Sequence, residues 1–153
     1  MAYFIGDHTC KLDSKGRILF PAALKKQLGG ESDRFVVKKD LFENCLIIYT
    51  NEEWERQNKL IRSRTNPFNK EHNRFVRGFS RGTAEIILDG SSRILIPKRL
   101  LETINAEKEI VLSGQDSKIE IWSKQAYDQL EEDENEFASL AEQIMQSQQN
   151  QEE

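Results

Sequence analysis

The feature that most constrains this chain is a stretch it contains twice. Cys10-Lys-Leu-Asp-Ser-Lys-Gly-Arg-Ile-Leu-Phe-Pro-Ala-Ala-Leu24 returns 76 positions later as Ile86-Ile-Leu-Asp-Gly-Ser-Ser-Arg-Ile-Leu-Ile-Pro-Lys-Arg-Leu100. The shift superposes Leu12 on Leu88, Asp13 on Asp89, Arg17 on Arg93, Ile18 on Ile94 and Pro21 on Pro97. An internal repeat of this kind means that one supersecondary unit is used more than once, and that neighbouring copies complete each other's core. After a three-residue shortening the correspondence goes on: Leu46-Ile-Ile-Tyr49 matches Ile119-Glu-Ile-Trp122, and Trp54 matches Tyr127.

Each copy reads as strand, turn, strand, short helix and two further strands. The first set is 9–12, 17–20, 21–28, 34–38 and 45–49; the second is 84–88, 93–96, 97–104, 109–113 and 118–122. Asp13-Ser-Lys-Gly16 is a turn by residue type, since Asp accepts backbone amides and Gly supplies a positive φ cheaply. Flanked by β-compatible runs, it predicts a hairpin. Pro21 and Pro97 fit the first position of the helix that follows.

Between the copies, Thr50-Asn-Glu-Glu53 opens a helix expected to bury Trp54 and Leu60/Ile61. Asn66-Pro67 opens another, with Phe68, His72, Phe75, Val76 and Phe79 on one face and Lys70, Arg74 and Arg77 off it. A last amphipathic helix carries Tyr127, Leu130, Phe137, Leu140, Ala141 and Ile144 on one side. These apolar faces either pack on the protein's own β body or meet other subunits.

The organisation read from this is a first repeat at 3–54, a helical connection at 55–80, a second repeat at 81–127, an amphipathic helix at 128–145 and a disordered polar tail at 146–153. A unit of roughly fifty residues of short strands buries too little apolar surface to stand alone. The two copies are therefore expected to fold against each other as one pseudo-symmetric, β-rich α+β body.

The net charge of −4 hides a segregation. Positions 128–153 hold nine acidic residues and no Lys or Arg, which leaves the first 127 residues at +5. Within them, 56–99 carry eleven basic against three acidic residues. A basic body with an acidic appendage is the pattern of a nucleic-acid binder, although exposed helices are often charged for solubility alone. No stretch approaches the roughly 18 apolar residues of a membrane span, and the N-terminus lacks the basic and apolar regions of a secretory signal. Two cysteines are too few for a disulfide framework, so a reducing cytoplasm is expected.

The turns carry the candidate chemistry. Ser14, Lys15, Arg17, Ser91, Ser92 and Arg93 project from tips, with Asp13, Gly16 and Asp89 supporting them. A two-stranded ribbon fits a DNA major groove, and Arg donates two hydrogen bonds to guanine O6 and N7. An Asp four residues earlier can hold that guanidinium and also receive the turn's amides. For one copy alone, a plain turn-closing ion pair worth about 0–1 kcal/mol is the better account. Recurrence of the same Asp, Arg and Ile-Leu-x-Pro while neighbours diverge favours the reader.

The residues resemble the MraZ family of bacterial transcriptional regulators, built from two SpoVT/AbrB-like units each marked by Asp-x-x-x-Arg. Phe4-x-Gly6, Leu12-Asp-Ser-Lys-Gly-Arg-Ile18 with Pro21, and Leu88-Asp-x-x-x-Arg-Ile94 with Pro97 carry the likeness. It implies swapped-hairpin units packed as one barrel-like body with flanking helices, and ring-shaped homo-oligomers. It also implies binding of double-stranded DNA at tandem short G-containing sites before the operon for division and cell wall synthesis, which includes the regulator's own gene. Arg17 and Arg93 would be the contacting residues, and the protein would be cytoplasmic and nucleoid-associated. Gly-Ser-Ser in place of Ser-Lys-Gly leaves Lys15 without a basic counterpart, so the first loop is expected to contribute more.

Enzyme readings find little support. His72 reads as a packed residue, His8-x-Cys10 offers two ligands where a structural zinc site wants four, and no Gly-rich phosphate loop occurs. No cofactor, metal or small-molecule substrate is expected. Lys25, Lys26, Lys98 and Arg99 either touch phosphates or face solvent. The rival is a non-catalytic oligomeric scaffold that binds an acidic protein partner.

Overall fold

A computed structural model describes residues 2–30, 32–130 and 132–152, with side chains as far as residue 146. The chain runs β1 (Phe4–Lys11), β2 (Arg17–Leu19), α1 (Ala22–Lys26), β3 (Arg34–Lys39), β4 (Leu46–Thr50), α2 (Asn51–Arg64), α3 (Lys70–Ser80). The second half follows as β5 (Ala84–Ile87), β6 (Arg93–Leu95), α4 (Lys98–Thr103), β7 (Glu109–Asp116), β8 (Lys118–Ser123), α5 (Lys124–Asp128) and α6 (Glu134–Glu152). The architecture is α+β and strand-rich, with two sheets and six helices among the described residues. None of these helices is long and apolar enough to cross a membrane.

Six antiparallel strands lie in the order β1-β7-β8-β4-β3-β5, and β2 pairs with β6 as a separate ribbon. Exchanging the repeats (β1 for β5, β3 for β7, β4 for β8) returns the same order read backwards. The sheet therefore carries the repeat as a pseudo-twofold. The first strand of each copy pairs with the third strand of the other, β1 with β7 and β5 with β3, while β4 and β8 meet in the middle.

That pairing corrects the expected hairpins. The arms flanking 13–16 do not pair with each other: β1 belongs to the large sheet and β2 to the ribbon. The turn is closed by Asp13 N–H donating to the Arg17 carbonyl at 3.0 Å, but one residue earlier Leu12 N–H donates to Lys108 instead. The second turn repeats this, with Asp89 N–H on Arg93 and Leu88 N–H on Asp33. Among the described residues no closed barrel forms either, because β1 and β5 remain the two edges of the large sheet.

The core lies between ribbon and sheet. Ile18, Phe20, Leu24, Ile94, Ile96 and Leu100 pack on Phe35, Val37, Ile48, Leu112, Ile119 and Ile121, all nearly inaccessible. The sheet's other face is covered in part by the helical connection. The Thr50 hydroxyl caps α2 by accepting from Glu53 N–H, and Trp54 stacks on Phe79 with ring centroids 5.5 Å apart. The Lys38 ammonium sits 4.2 Å above the Phe79 ring and donates to the Lys39 carbonyl.

Several expectations for the helices are corrected. Trp54 and Ile61 are only half-buried and Leu60 is exposed, because α2 meets the sheet through its first turns. The apolar faces left with two readings are not corrected: on α3 Phe79 is buried on the protein's own body, while Phe68, Phe75 and Val76 face outward, as do Phe137, Leu140 and Ile144 on α6. Pro21 and Pro97 stand one place earlier than expected, as N-caps. The backbone of α6 is helical through Glu152 where an unstructured tail was expected from 146; Glu153 lies outside the described residues.

Candidate nucleic-acid interface

The ribbon's register determines what it shows to solvent. Arg17 lies opposite Leu95, Ile18 opposite Ile94, and Leu19 opposite Arg93. Strand side chains alternate between faces, so Ile18 and Ile94 point into the core and are 1% exposed. Arg17, Leu19, Arg93 and Leu95 share the outer face. Each turn is bound to the far strand: Ile96 N–H donates to the Gly16 carbonyl at 2.9 Å, and Phe20 N–H to the Ser92 carbonyl at 2.8 Å. The two Asp-x-x-x-Arg turns thus occupy opposite ends of one ribbon, each held by the other repeat.

In the first turn Asp13 does both jobs expected of it. Its Oδ1 accepts from the amides of Lys15 and Arg17, both at 2.9 Å, and its Oδ2 accepts from Arg17 Nε at 2.8 Å. The Arg17 amide above all, then its guanidinium and the Lys15 amide, hold the Asp13 carboxyl down to about 2. With Nε engaged, Arg17 keeps both terminal nitrogens for a ligand. Its side chain is 39% exposed, neither folded away nor free to wander.

The second turn keeps only half of this. Asp89 Oδ1 accepts from the amides of Ser91 and Arg93, and these hold its carboxyl below the usual range, the Arg93 amide most. The Arg93 guanidinium meets no acceptor among the described residues. Backbone conformation differs too. Gly16 has φ +89°, and a Cβ there would stand 2.7 Å from the Ile96 carbonyl oxygen. Its counterpart Ser92 takes φ +61° with a side chain in place.

Sequence reasoning missed two things here. Lys25 Nζ donates to Ser92 Oγ at 2.8 Å, which brings an ammonium from α1 to the turn that has no counterpart of Lys15. Leu19 and Leu95 join the arginines on the outer face, 63% and 51% exposed. The period-2 alternation Arg-in-solvent, Ile-in-core, Leu-in-solvent was the available signal for the leucines. For Lys25 there was none, since 67 residues separate it from Ser92. Ser14, Lys15 and Ser91 are exposed at the tips, as expected.

The histidines and cysteines form no comparable group. His72 Nδ1 accepts from Asn66 N–H at 2.9 Å, fixing the loop before α3. Cys10 and Cys45 are buried thiols, which desolvation pushes up to about 11 and about 12, away from nucleophilic use.

A two-repeat body that presents two arginines on one exposed antiparallel ribbon is the class these features define. The sequence model of the family described as "MraZ protein, putative antitoxin-like" matches residues 3–78 and again 79–148. The chain belongs to the MraZ family. It is 44% identical over 147 residues to the Transcriptional regulator MraZ of Christiangramia forsetii, covering 95% of this chain and 94% of that one. The protein of the same description from Flavobacterium psychrophilum is 40% identical over 147 residues, 95% and 93% of the two chains. That from Bacteroides fragilis is 36% identical over 146 residues, 95% and 92% of the two chains.

Proposed function

We propose that this protein is a sequence-specific regulator of transcription that binds double-stranded DNA in the major groove. The observation that carries the reading is the outer face of the β2–β6 ribbon, where half-buried Arg17 and exposed Arg93 stand on opposite ends of a two-stranded element. Strand spacing and rise put their Cα atoms about 8 Å apart. Each guanidinium suits a guanine edge, and the ribbon suits the groove's width. Ser14, Lys15, Ser91 and Ser92 contact phosphates or base edges beside them, while Asp13, Asp89 and Gly16 set the turns. The relatives named as transcriptional regulators support the same conclusion and belong to no enzyme class.

One ribbon is a weak reader. A bidentate Arg–guanine pair discriminates by about 1–3 kcal/mol, and non-specific binding is only ~10⁻⁴–10⁻⁶ M at physiological salt. A ring-shaped homo-oligomer engaging tandem short G-containing sites gains about 10²–10⁴ in avidity. The exchange of first strands between repeats fits the swapped-hairpin units of this reading. The sites are those before the division and cell wall operon that includes the protein's own gene, in a cytoplasmic, nucleoid-associated setting.

The test is a mobility shift with the fragment upstream of that gene, run alongside the particle's mass in solution. Binding should weaken steeply with salt and be lost in Arg17→Ala at unchanged mass. An oligomeric scaffold for an acidic protein would be indifferent to that substitution, and such indifference refutes the proposal.

A further inference from the structure

We propose that Leu19 and Leu95 read the 5-methyl groups of thymines neighbouring the guanines taken by Arg93 and Arg17. The inference rests on the DNA-reading function above and adds a second base to what the ribbon recognises.

Solvent-facing positions of a strand ordinarily carry polar side chains. Here both copies place Leu on the outer face, in the same Arg-Ile-Leu run, while the Ile between is sealed in the core. Each Leu stands directly across the ribbon from the other repeat's Arg. Cross-strand neighbours have Cβ atoms about 4.5–5.5 Å apart. The face is thus a small quadrilateral, with guanidinium groups on one diagonal and isobutyl groups on the other. Bases along a strand are spaced at about 3.4 Å, so an Arg and its facing Leu span one to two base steps. In the major groove the thymine methyl is the apolar feature that an aliphatic side chain can use. An Arg–Leu pair is therefore a reader of a guanine with a thymine beside it, on either strand.

A second copy of this chain is the competing occupant for two exposed leucines. Charge argues against it. A twofold contact through this face would bring four guanidinium groups together, with Lys15 and Lys25 around them. Like charges so juxtaposed oppose association, whereas the same charges attract a duplex. Phe42 and Phe68, which are more exposed, are not flanked by a repeated pair of arginines and carry no such argument.

The experiment replaces each thymine of the upstream fragment by deoxyuridine, one at a time on both strands, which removes only the methyl. Affinity is measured by fluorescence anisotropy at fixed salt for the full-length wild type, Leu19→Ser, Leu95→Ser and Arg17→Ala. Burying one methyl-sized group is worth about fourfold in affinity. Wild type should lose about that much at thymines within two base pairs of a contacted guanine, and at no others. At those positions the matching Leu→Ser variant should show no further loss on methyl removal, while its particle mass and thermal melt stay those of wild type. If no methyl matters while Arg17→Ala still abolishes specific binding, this inference is wrong and the DNA-reading function stands. A changed particle mass in Leu19→Ser or Leu95→Ser also overturns it, by assigning the leucines to a subunit contact. Indifference of Arg17→Ala, or no binding by wild type, sinks both.

Discussion

Positions 16 and 92 are the same place in the two copies, and exchanging their logic gives a sharp test of how the ribbon is held. Gly16→Ala puts an L-residue at φ +89° and a methyl carbon 2.7 Å from the Ile96 carbonyl oxygen. Left-handed backbone costs an L-residue about 1–2 kcal/mol. The clash cannot be relieved by rotating a side chain, because the atom met is backbone and Ile96 N–H is itself bonded to the Gly16 carbonyl. Separating the two strands weakens that bond, for about 1 kcal/mol more. The expected loss is roughly 2–3 kcal/mol, on these two grounds. Ser92→Gly removes a left-handed penalty that the second turn already bears, so it should gain up to about 1 kcal/mol after allowing for the extra freedom of Gly in the unfolded chain. Urea unfolding followed by Trp54 and Trp122 fluorescence, at matched protein concentrations because any self-association is linked to stability, reads both. Gly16→Ala as stable as wild type, or Ser92→Gly clearly less stable, would refute the account of the turns as strained strand crossings.

Further outcomes follow from the same geometry. Arg17→Ala should lower specific affinity by roughly 5–150-fold per contact, the range of a bidentate guanine pair, and more than Arg93→Ala, whose guanidinium has no Asp clamp; equal losses in footprint titrations would count against that order. Lys25→Ala should weaken binding to all sequences alike and lower the salt slope by about one per engaged protomer; a sequence-dependent effect would place Lys25 on a base instead. Asp13 has its folded-state carboxyl depressed to about 2 by the N–H groups it accepts, the Arg17 amide first. Its contribution is therefore present above the unfolded value of about 3.9 and fades as pH falls through the folded one. Asp13→Asn should flatten stability between about pH 4 and pH 2 in acid titrations followed by circular dichroism, and an unchanged acid limb would argue against it. Phe79→Ala removes the ring that carries both Trp54 and the Lys38 ammonium, and should cost about 3–5 kcal/mol in thermal melts. A loss below 1 kcal/mol would mean that the helical connection is not anchored there.

Much of this was legible in the residues, and the rest fails for identifiable reasons. The repeat set out all eight strands, and Asp13 with Arg17 announced its own clamp, because a four-residue spacing across a turn is a local matter. Strand pairing was not local. The bond from Asp13 N–H to Arg17 closes a hairpin and a strand crossing equally well, so nothing near the turn says that β1 will pair with β7, about a hundred residues away. The apolar face of α3 was left with two readings for a different reason: periodicity states that a face is unlike its surroundings, not what covers it.

The second turn shows how far comparison of the two copies can carry an argument. Aligned copy to copy, it has lost a lysine at 91 and a glycine at 92, and looks like the weaker member. In three dimensions the serine at 92 is the acceptor for Lys25, a residue whose own counterpart, Leu101, is buried. The cation missing from the second turn is supplied by the first repeat's helix through a hydrogen bond, whereas at the other end Lys98 lines the cavity beside Asp13 and Ser14 without a matching bond among the described residues. The pseudo-twofold is therefore kept in the strand pairing and broken at the turns, in the Asp13 clamp on Arg17 and in the ammonium groups around the arginines. A ribbon of that kind can accept a duplex with a preferred direction, which an exactly symmetric one could not. Inverting a single site relative to its neighbours in a tandem array should then weaken binding in wild type and matter less in a Lys15→Ala, Lys25→Ala double variant. If inversion is harmless in wild type, the asymmetry of the ammonium groups has no bearing on orientation.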